Sequence, residues 1–175
     1  MNYDKLFDIE EIIVEDRKTG KEKTVTIYKP KYEKGKIFAP LRDKYLDAKP
    51  EEKVRQEFIC RLINDYGYTL EQMAQEVQLT SSSRGTGRAS ADIVVWRTKK
   101  EKEQNKTAFL VVELKAEAIT LKPEDFYQGY NYATWSRAKL FVISNGKIIK
   151  IYKTIEEELP LSLQPVGEIP QAKDI

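Results

Sequence analysis

Histidine is absent from this 175-residue chain, and that absence excludes several kinds of catalytic site. Triads that use histidine as the base, and zinc sites with histidine ligands, cannot be built from these residues. Any catalysis must therefore use carboxylates, lysine, tyrosine and a hard metal ion. Cysteine is nearly absent as well, because Cys60 is the single one. A chain with one cysteine cannot form an internal disulfide, and this low cysteine content agrees with a reducing compartment.

Long apolar runs and a strong excess of one charge are also missing. No apolar run approaches the roughly 20 residues that a membrane-spanning helix needs. The N-terminal stretch "MNYDKLFDIEE" is charged and has no signal-peptide core. We therefore expect a cytoplasmic protein with no membrane partner. The formal net charge of +2 gives no general argument for nucleic acid, so such a partner must be argued from local features.

The first half of the chain predicts a β-hairpin followed by a helix. Two β-prone runs in "EEIIVEDRKTGKEKTVTIYKP" flank a turn, so residues 1–48 are expected to form an N-terminal extension with a hairpin. Apolar residues recur at helical spacing in "KPEEKVRQEFICRLINDYGY". Pro50 suits the first turn of that helix, and Gly67 is expected to stop it. The stretch "LEQMAQEVQL" then predicts a short helical turn and a strand at 76–80.

The second half predicts a sheet with a further helix. The strands "ADIVVW" and "TAFLVVELKA", joined by the charged, turn-like "RTKKEKEQNK", predict a hairpin over 90–116. "PEDFYQGYNYATWS" predicts a helix, and "KLFVISNGKIIKIYK" predicts a hairpin around Asn145 and Gly146. The order of elements predicts an α/β fold with a central mixed β-sheet flanked by helices over 49–153. The tail, 154–175, has three prolines and no periodicity, so we expect a linker toward a possible downstream domain.

Charged residues stand at two strand ends that a hairpin would bring together. Asp92 begins the first central strand, and Glu113 and Lys115 end the second. Residues two apart on a strand share a face, so these side chains can cluster at one edge of the sheet. Two carboxylates there would suit Mg²⁺ or Mn²⁺, and a nearby lysine could orient a water molecule. These groups suit the metal-assisted hydrolysis of a phosphodiester.

This pattern resembles the PD-(D/E)xK nuclease superfamily. Asp92 matches its lone aspartate, and Glu113-Leu114-Lys115 matches its ExK triplet. "QGYNY" supplies Gln128 and Tyr132, which match the QxxxY element of a nuclease subgroup. "GRASADIVVW" and "VVELKAE" are similar to the N-terminal nuclease domain of the type I restriction enzyme R (motor) subunit. The resemblance covers roughly 49–153 and implies a restriction-endonuclease-like αβα core. One departure is that "SA" precedes Asp92 where other members have a proline, which is dispensable to the chemistry.

The resemblance implies a role for each matching residue. Asp92 and Glu113 would bind the metal, with the backbone carbonyl of Leu114 as a third ligand. Lys115 would position the attacking water. Glu57, on the predicted upstream helix, would be a further catalytic residue that supports the metal shell. Taken alone, Glu57 is an ordinary polar position on an amphipathic helix.

Four further residues are candidates for positioning DNA. The resemblance implies that Gln128 and Tyr132 hold the site or the DNA backbone beside it. Arg84 and Arg88 lie in the small-residue loop "TSSSRGTGRAS", just before the first central strand. They could reach phosphates, or they could belong to a solvated loop.

The resemblance also implies substrate and partners. The substrate would be double-stranded DNA, and the partners would be the methyltransferase and specificity subunits of a restriction-modification complex. In that family an ATP-driven motor follows the nuclease domain, but this chain has no GxxxxGK[ST] phosphate loop, so ATP is expected only in a downstream domain. The leading hypothesis is a Mg²⁺-dependent endodeoxyribonuclease domain of a type I restriction enzyme. The alternatives are a stand-alone nuclease in repair or defence and a catalytically silent DNA- or protein-binding module.

Overall fold

The structure, a computed structural model, describes residues 3–17, 19–79, 89–122, 137–155 and 162–175. The α-helices in this part of the chain are α1 (Pro50–Asn64) and α2 (Lys99–Glu103). The strands are β1 (Asp8–Glu15), β2 (Glu22–Lys29), β3 (Tyr32–Glu33), β4 (Lys36–Ala39), β5 (Lys44–Asp47), β6 (Met73–Leu79), β7 (Ala89–Val95), β8 (Leu110–Leu114), β9 (Leu140–Ser144), β10 (Ile149–Ile155) and β11 (Ser162–Val166).

A mixed six-stranded sheet, in the order β11-β10-β9-β8-β7-β6, forms the centre of the fold. Its neighbouring strands are antiparallel except for β8 and β9, which run parallel. Every residue of β8 and β9 is buried, as expected for strands covered on both faces. The α/β fold with a central mixed sheet, predicted from the order of elements, is confirmed.

Helix α1 packs its apolar residues on one face of this sheet. Val54, Phe58 and Leu62 of the helix share one buried cluster with Val112 and Leu114 of β8. Burial of each such side chain contributes about 1.5–3 kcal/mol. The helix begins at a proline, as the sequence predicts, and the chain turns at a glycine of φ +73° three residues after its last residue.

The N-terminal extension contains the predicted hairpin and also a second small sheet. Strands β1 and β2 pair in antiparallel register over their whole length. Strands β3, β4 and β5 form a three-stranded sheet that the sequence analysis did not predict. These strands are two to four residues long, which is too short for a reliable alternation of apolar and polar residues.

Both predicted hairpins of the central sheet are confirmed. Strands β7 and β8 are antiparallel, and so are β9 and β10. The β9–β10 turn is closed by Asn145, whose Oδ1 accepts from the backbone N–H of Ile148 at 2.9 Å. The β7–β8 connection is not only a turn, because it contains α2. Thr98 caps this short helix by accepting a hydrogen bond from the Glu101 N–H at 3.1 Å.

The prediction that the tail is a linker was wrong for residues 162–175. Strand β11 pairs with β10 and becomes the edge of the central sheet. Ile169 is only 1% exposed and belongs to the main core cluster. The carbonyl of Pro170 accepts a hydrogen bond from the Tyr68 hydroxyl at 3.1 Å. Proline is tolerated in an edge strand, so Pro165 within β11 concealed this strand in the sequence.

Two predicted segments lie outside the described residues. They are the loop "TSSSRGTGRAS", mostly within 80–88, and the helix "PEDFYQGYNYATWS", within 123–136. In the part of the chain that is described, no helix has the length and apolar character needed to cross a membrane.

Candidate active site

The pairing of β7 with β8 brings Asp92 and Glu113 together, although Asp92 lies within β7 and does not begin it as predicted. The antiparallel register pairs Ile93 with Val112. Continued by one pair, this register sets Asp92 opposite Glu113 on the same face of the sheet. The Oδ2 atom of Asp92 accepts a hydrogen bond from the backbone N–H of Leu114 at 2.6 Å. This hydrogen bond joins β7 to the end of β8 at the residue after Glu113.

Lys115 lies on the same side as Glu113 and pairs with it. Its Nζ atom donates to Oε1 of Glu113 at 2.8 Å. The two side chains are 20% and 6% exposed, so this is not the solvated surface pair that was the alternative interpretation. The backbone N–H of Lys115 also donates to the Ser144 carbonyl on β9 at 2.9 Å, which fixes the chain just beyond β8.

Near neutral pH, the protonated and the ionised forms of the Glu113 carboxyl have similar populations. Burial raises its pKa from the ordinary 4.5 to about 7, and the charge of Asp92 acts in the same direction. The hydrogen bond and charge of Lys115 lower that pKa without cancelling the effect of burial. A shifted carboxyl beside a second carboxylate and a lysine is typical of functional sites.

The unexpected member of the cluster is Arg55 of α1. Its Nη2 atom donates to Oδ1 of Asp92 at 2.6 Å. The Arg55 side chain is only 6% exposed, and it also forms ion pairs with Glu52 and with Glu51, the latter at 3.3 Å. Burial lowers the pKa of this guanidinium, but Asp92 and Glu52 raise it by more, so it stays charged. The helix therefore supplies a buried cation to the carboxylates.

Glu57 does not join this cluster. It is exposed on α1, and the charged groups that act on it are Glu117, Lys53 and Arg61. Burial and then Glu117 raise the pKa of its carboxyl, while the two cations lower it. The helix advances about 100° per residue, so Glu57 points about 140° away from Glu52. The acid of α1 that shares Arg55 with Asp92 is Glu52.

A signal in the sequence could have identified the helical residues that reach the site. Ile59 and Leu62 mark the stripe of α1 that faces the core, and both are fully buried. The same stripe continues toward the N-terminus through Arg55, Gln56 and Glu52 at spacings of three and four. Charged and amide side chains in a core-facing stripe predict a buried polar cluster.

This stripe forms a polar layer beside the strand ends. Gln56 is 1% exposed, and its Nε2 atom donates to Oε1 of Glu52 at 2.7 Å. The same Nε2 atom lies 3.3 Å from Oε1 of Gln75 on β6. Among the described residues, three buried atoms have no hydrogen-bond partner: Arg55 Nε, Gln56 Oε1 and Gln75 Nε2. The layer therefore has hydrogen-bonding capacity to spare.

The other predicted residues are only partly tested by the structure. Leu114 contributes its backbone N–H to Asp92, and a metal-binding role for its carbonyl stays a prediction. Arg84, Arg88, Gln128 and Tyr132 lie outside the described residues, so their roles also stay predictions.

The donor set fits a hard divalent cation in its chemistry. Asp92 and Glu113 offer carboxylate oxygens, the ligand type that Mg²⁺ prefers. Each oxygen of Asp92 already accepts one hydrogen bond, but an ionised carboxylate has about four acceptor positions in all. Within the described ranges, no group of three or more acidic or cysteine side chains is arranged to bind a metal. A divalent ion at this site would therefore have two acidic ligands among the described residues, Asp92 and Glu113.

The fold and the site define a mixed α/β domain with an acid–acid–lysine cluster on two adjacent central strands. A family model described as the type I restriction enzyme R protein N terminus matches residues 50–170. The chain therefore belongs to this family. The match runs from the first residue of α1 past β11, which agrees with the packing of the tail onto the sheet. Searches of curated proteins and of solved structures found no match.

Proposed function

We propose that this domain is the metal-dependent nuclease module of a type I restriction enzyme R subunit. It would hydrolyse phosphodiester bonds of double-stranded DNA as an endonuclease. The family match supports the restriction context. The observation that carries the proposal is the buried Glu113–Lys115 pair opposite Asp92, on two adjacent central strands. Such a cluster is costly to bury, and a purely structural strand end would not require it.

The residues of the site would divide the work as follows. Asp92 and Glu113 would hold Mg²⁺ or Mn²⁺ through carboxylate oxygens, and the Leu114 carbonyl would be a further ligand. When bound, the ion would supply Lewis-acid stabilisation of the charge that develops on the phosphate oxygens. Lys115, 2.8 Å from Glu113, would orient the attacking water beside the scissile phosphate. Glu52 replaces Glu57 as the candidate acid of α1, because Glu52 shares Arg55 with Asp92.

The proposed context follows from the family. The methyltransferase and specificity subunits would be the partners that deliver this domain to DNA, and the reaction would take place in the cytoplasm. ATP would be used by another part of the complex, because these residues contain no phosphate loop of the GxxxxGK[ST] type.

A catalytically silent DNA-binding module is the second candidate, and one observation favours it. Arg55 already neutralises Asp92 at 2.6 Å, so the cluster forms charge-paired contacts without a metal ion. In that case the acids and the arginine would serve only to stabilise the fold. Divalent-ion binding and DNA cleavage distinguish the two candidates.

Nicking of supercoiled circular DNA by the full-length protein in Mg²⁺ tests the proposal. Lys115→Ala should reduce the nicking rate by roughly 10²–10⁴-fold, as expected for loss of a group that handles the reacting water. Lys147→Ala is the matched control, because Lys147 pairs with Glu117 at 3.1 Å and is 67% exposed. Cleavage by Lys115→Ala at the wild-type rate, with the fold intact, would refute the catalytic role of this pair.

A further inference from the structure

We infer that Arg55 is a positioning residue that occupies Asp92 in place of the divalent ion and releases it when the ion binds. The inference rests on the proposed function, since it concerns the same carboxylate. It assigns to Arg55 a role as an internal counter-cation, which the resemblance to the nuclease superfamily did not supply. Arg55 would thus set the affinity for the metal without taking part in the chemical step.

The first support is the position of the guanidinium. Its Nη2 atom lies 2.6 Å from Oδ1 of Asp92. An ion bound by Asp92 would share this oxygen with Arg55 or compete with Arg55 for it. The Asp92 side chain is 12% exposed, so few other positions for a compensating cation exist around it. A guanidinium and a divalent ion repel each other at such short range. Binding of a divalent ion to Asp92 would therefore weaken the ion pair between Asp92 and Arg55.

The second support is that Arg55 has other partners to keep when Asp92 is released. It forms ion pairs with Glu51 at 3.3 Å and with Glu76 at 3.8 Å, and it also contacts Glu52. If a buried arginine lost its only partner, the fold would be strongly destabilised. Loss of the contact with Asp92 would not have this effect, because Arg55 keeps its other ion pairs. Its charge remains compensated after Asp92 turns to the metal.

The third support is space for the side chain to move. A cavity of about 360 Å³ adjoins the guanidinium, and its lining includes Arg42, Lys49, Glu51, Glu52 and Glu76 as well as Arg55 itself. Three of these residues are the same acids that pair with Arg55. The guanidinium therefore has space to move away from Asp92 while it keeps Glu51 and Glu76, which it already approaches at 3.3 and 3.8 Å.

The inference predicts that a substitution that breaks this buried ion pair strengthens metal binding. Arg55→Gln should bind Mn²⁺ at least tenfold more tightly than the wild type, because the repulsion between guanidinium and ion is removed. Arg55→Lys keeps the charge and should bind Mn²⁺ within a few-fold of the wild type. Arg61→Gln is the matched control on the same helix, since Arg61 is 41% exposed and pairs only loosely with Asp65 at 3.6 Å. It should leave the affinity unchanged.

The experiment is a titration of the purified full-length protein with Mn²⁺, followed by paramagnetic resonance of the free ion. Circular dichroism verifies that each variant is folded, and the metal-induced rise in melting temperature gives a second readout, expected to be larger in Arg55→Gln than in the wild type. Weaker or unchanged Mn²⁺ binding by folded Arg55→Gln would overturn the inference. If this variant does not fold, Arg55→Lys decides: a loss of Mn²⁺ affinity of tenfold or more would overturn it.

A separate variant distinguishes this failure from failure of the proposed function. Asp92→Asn should abolish the Mn²⁺ binding that the wild type shows, because it removes the carboxylate that holds the ion. If Asp92→Asn binds Mn²⁺ as the wild type does, the metal site is elsewhere and the proposed function fails. If Asp92→Asn loses binding but Arg55→Gln does not gain it, only the role of Arg55 fails.

Discussion

The buried carboxyl of Glu113 should make the stability of the fold depend on pH in a way that one substitution removes. Its pKa is about 7 in the folded protein against an ordinary value of 4.5. The folded state therefore binds the proton more tightly than the unfolded chain does. Stability is lost as the pH rises from about 4.5 to about 7, and the full penalty is present above that range.

The size of this penalty follows from the difference between the two pKa values. The full penalty, present when the carboxyl is ionised in both states, is about 3 kcal/mol, since each factor of ten in proton affinity corresponds to 1.36 kcal/mol. Between pH 5 and pH 8 the free energy of unfolding of the wild type should fall by about 2.5 kcal/mol because of this group alone. Glu113→Gln cannot ionise and should lack that decrease. The variant should be more stable than the wild type at pH 8 and similar to it at pH 5.

Urea unfolding at a series of pH values, in EDTA to exclude divalent ions, measures this difference. Glu117→Gln is the control, because Glu117 is 60% exposed and pairs with Lys147 at the surface. Its unfolding free energy should follow that of the wild type at every pH. Parallel pH profiles for Glu113→Gln and the wild type would refute the argument, because they would mean that the carboxyl is solvated in the folded protein.

Two further predictions test the packing of the C-terminal residues. Ile169→Ala should lower the free energy of unfolding by about 2–5 kcal/mol, since the side chain is 1% exposed. Ile148→Ala, at a 48% exposed position, should change it by about 0.5 kcal/mol or less. Equal small effects in urea denaturation would mean that the tail does not pack on the core. Tyr68→Phe should lower the melting temperature through loss of about 1 kcal/mol, because it removes the hydrogen bond to Pro170.

The central sheet could be predicted because its strands are long, buried and separated by strong turn signals. Strands β8 and β9 are five residues each, mostly apolar and entirely buried, and Asn145-Gly146 marks the hairpin after β9. The antiparallel register then follows from the hairpin, and it brings the end of β8 beside Asp92 of β7. The short strands β3 to β5 and the proline-containing β11 gave no such periodic signal, so only the tertiary contacts reveal them.

The proximity of Asp92, Glu113 and Lys115 was predicted from the strands, but the contribution of Arg55 and Glu52 was not, because Glu57 lies on a different side of α1. Glu57 was chosen from the resemblance, whereas the apolar stripe through Ile59 and Leu62 continues to Arg55 and Glu52. A charge in such a stripe is stable only if a partner of opposite sign meets it, because burying an unpaired charge is costly. Asp92 lies within β7, the residues that follow it in the strand are buried, and its own side chain is only 12% exposed, so its charge also requires a partner. The pairing of Arg55 with Asp92 therefore follows from the two patterns taken together, and neither pattern predicts it alone.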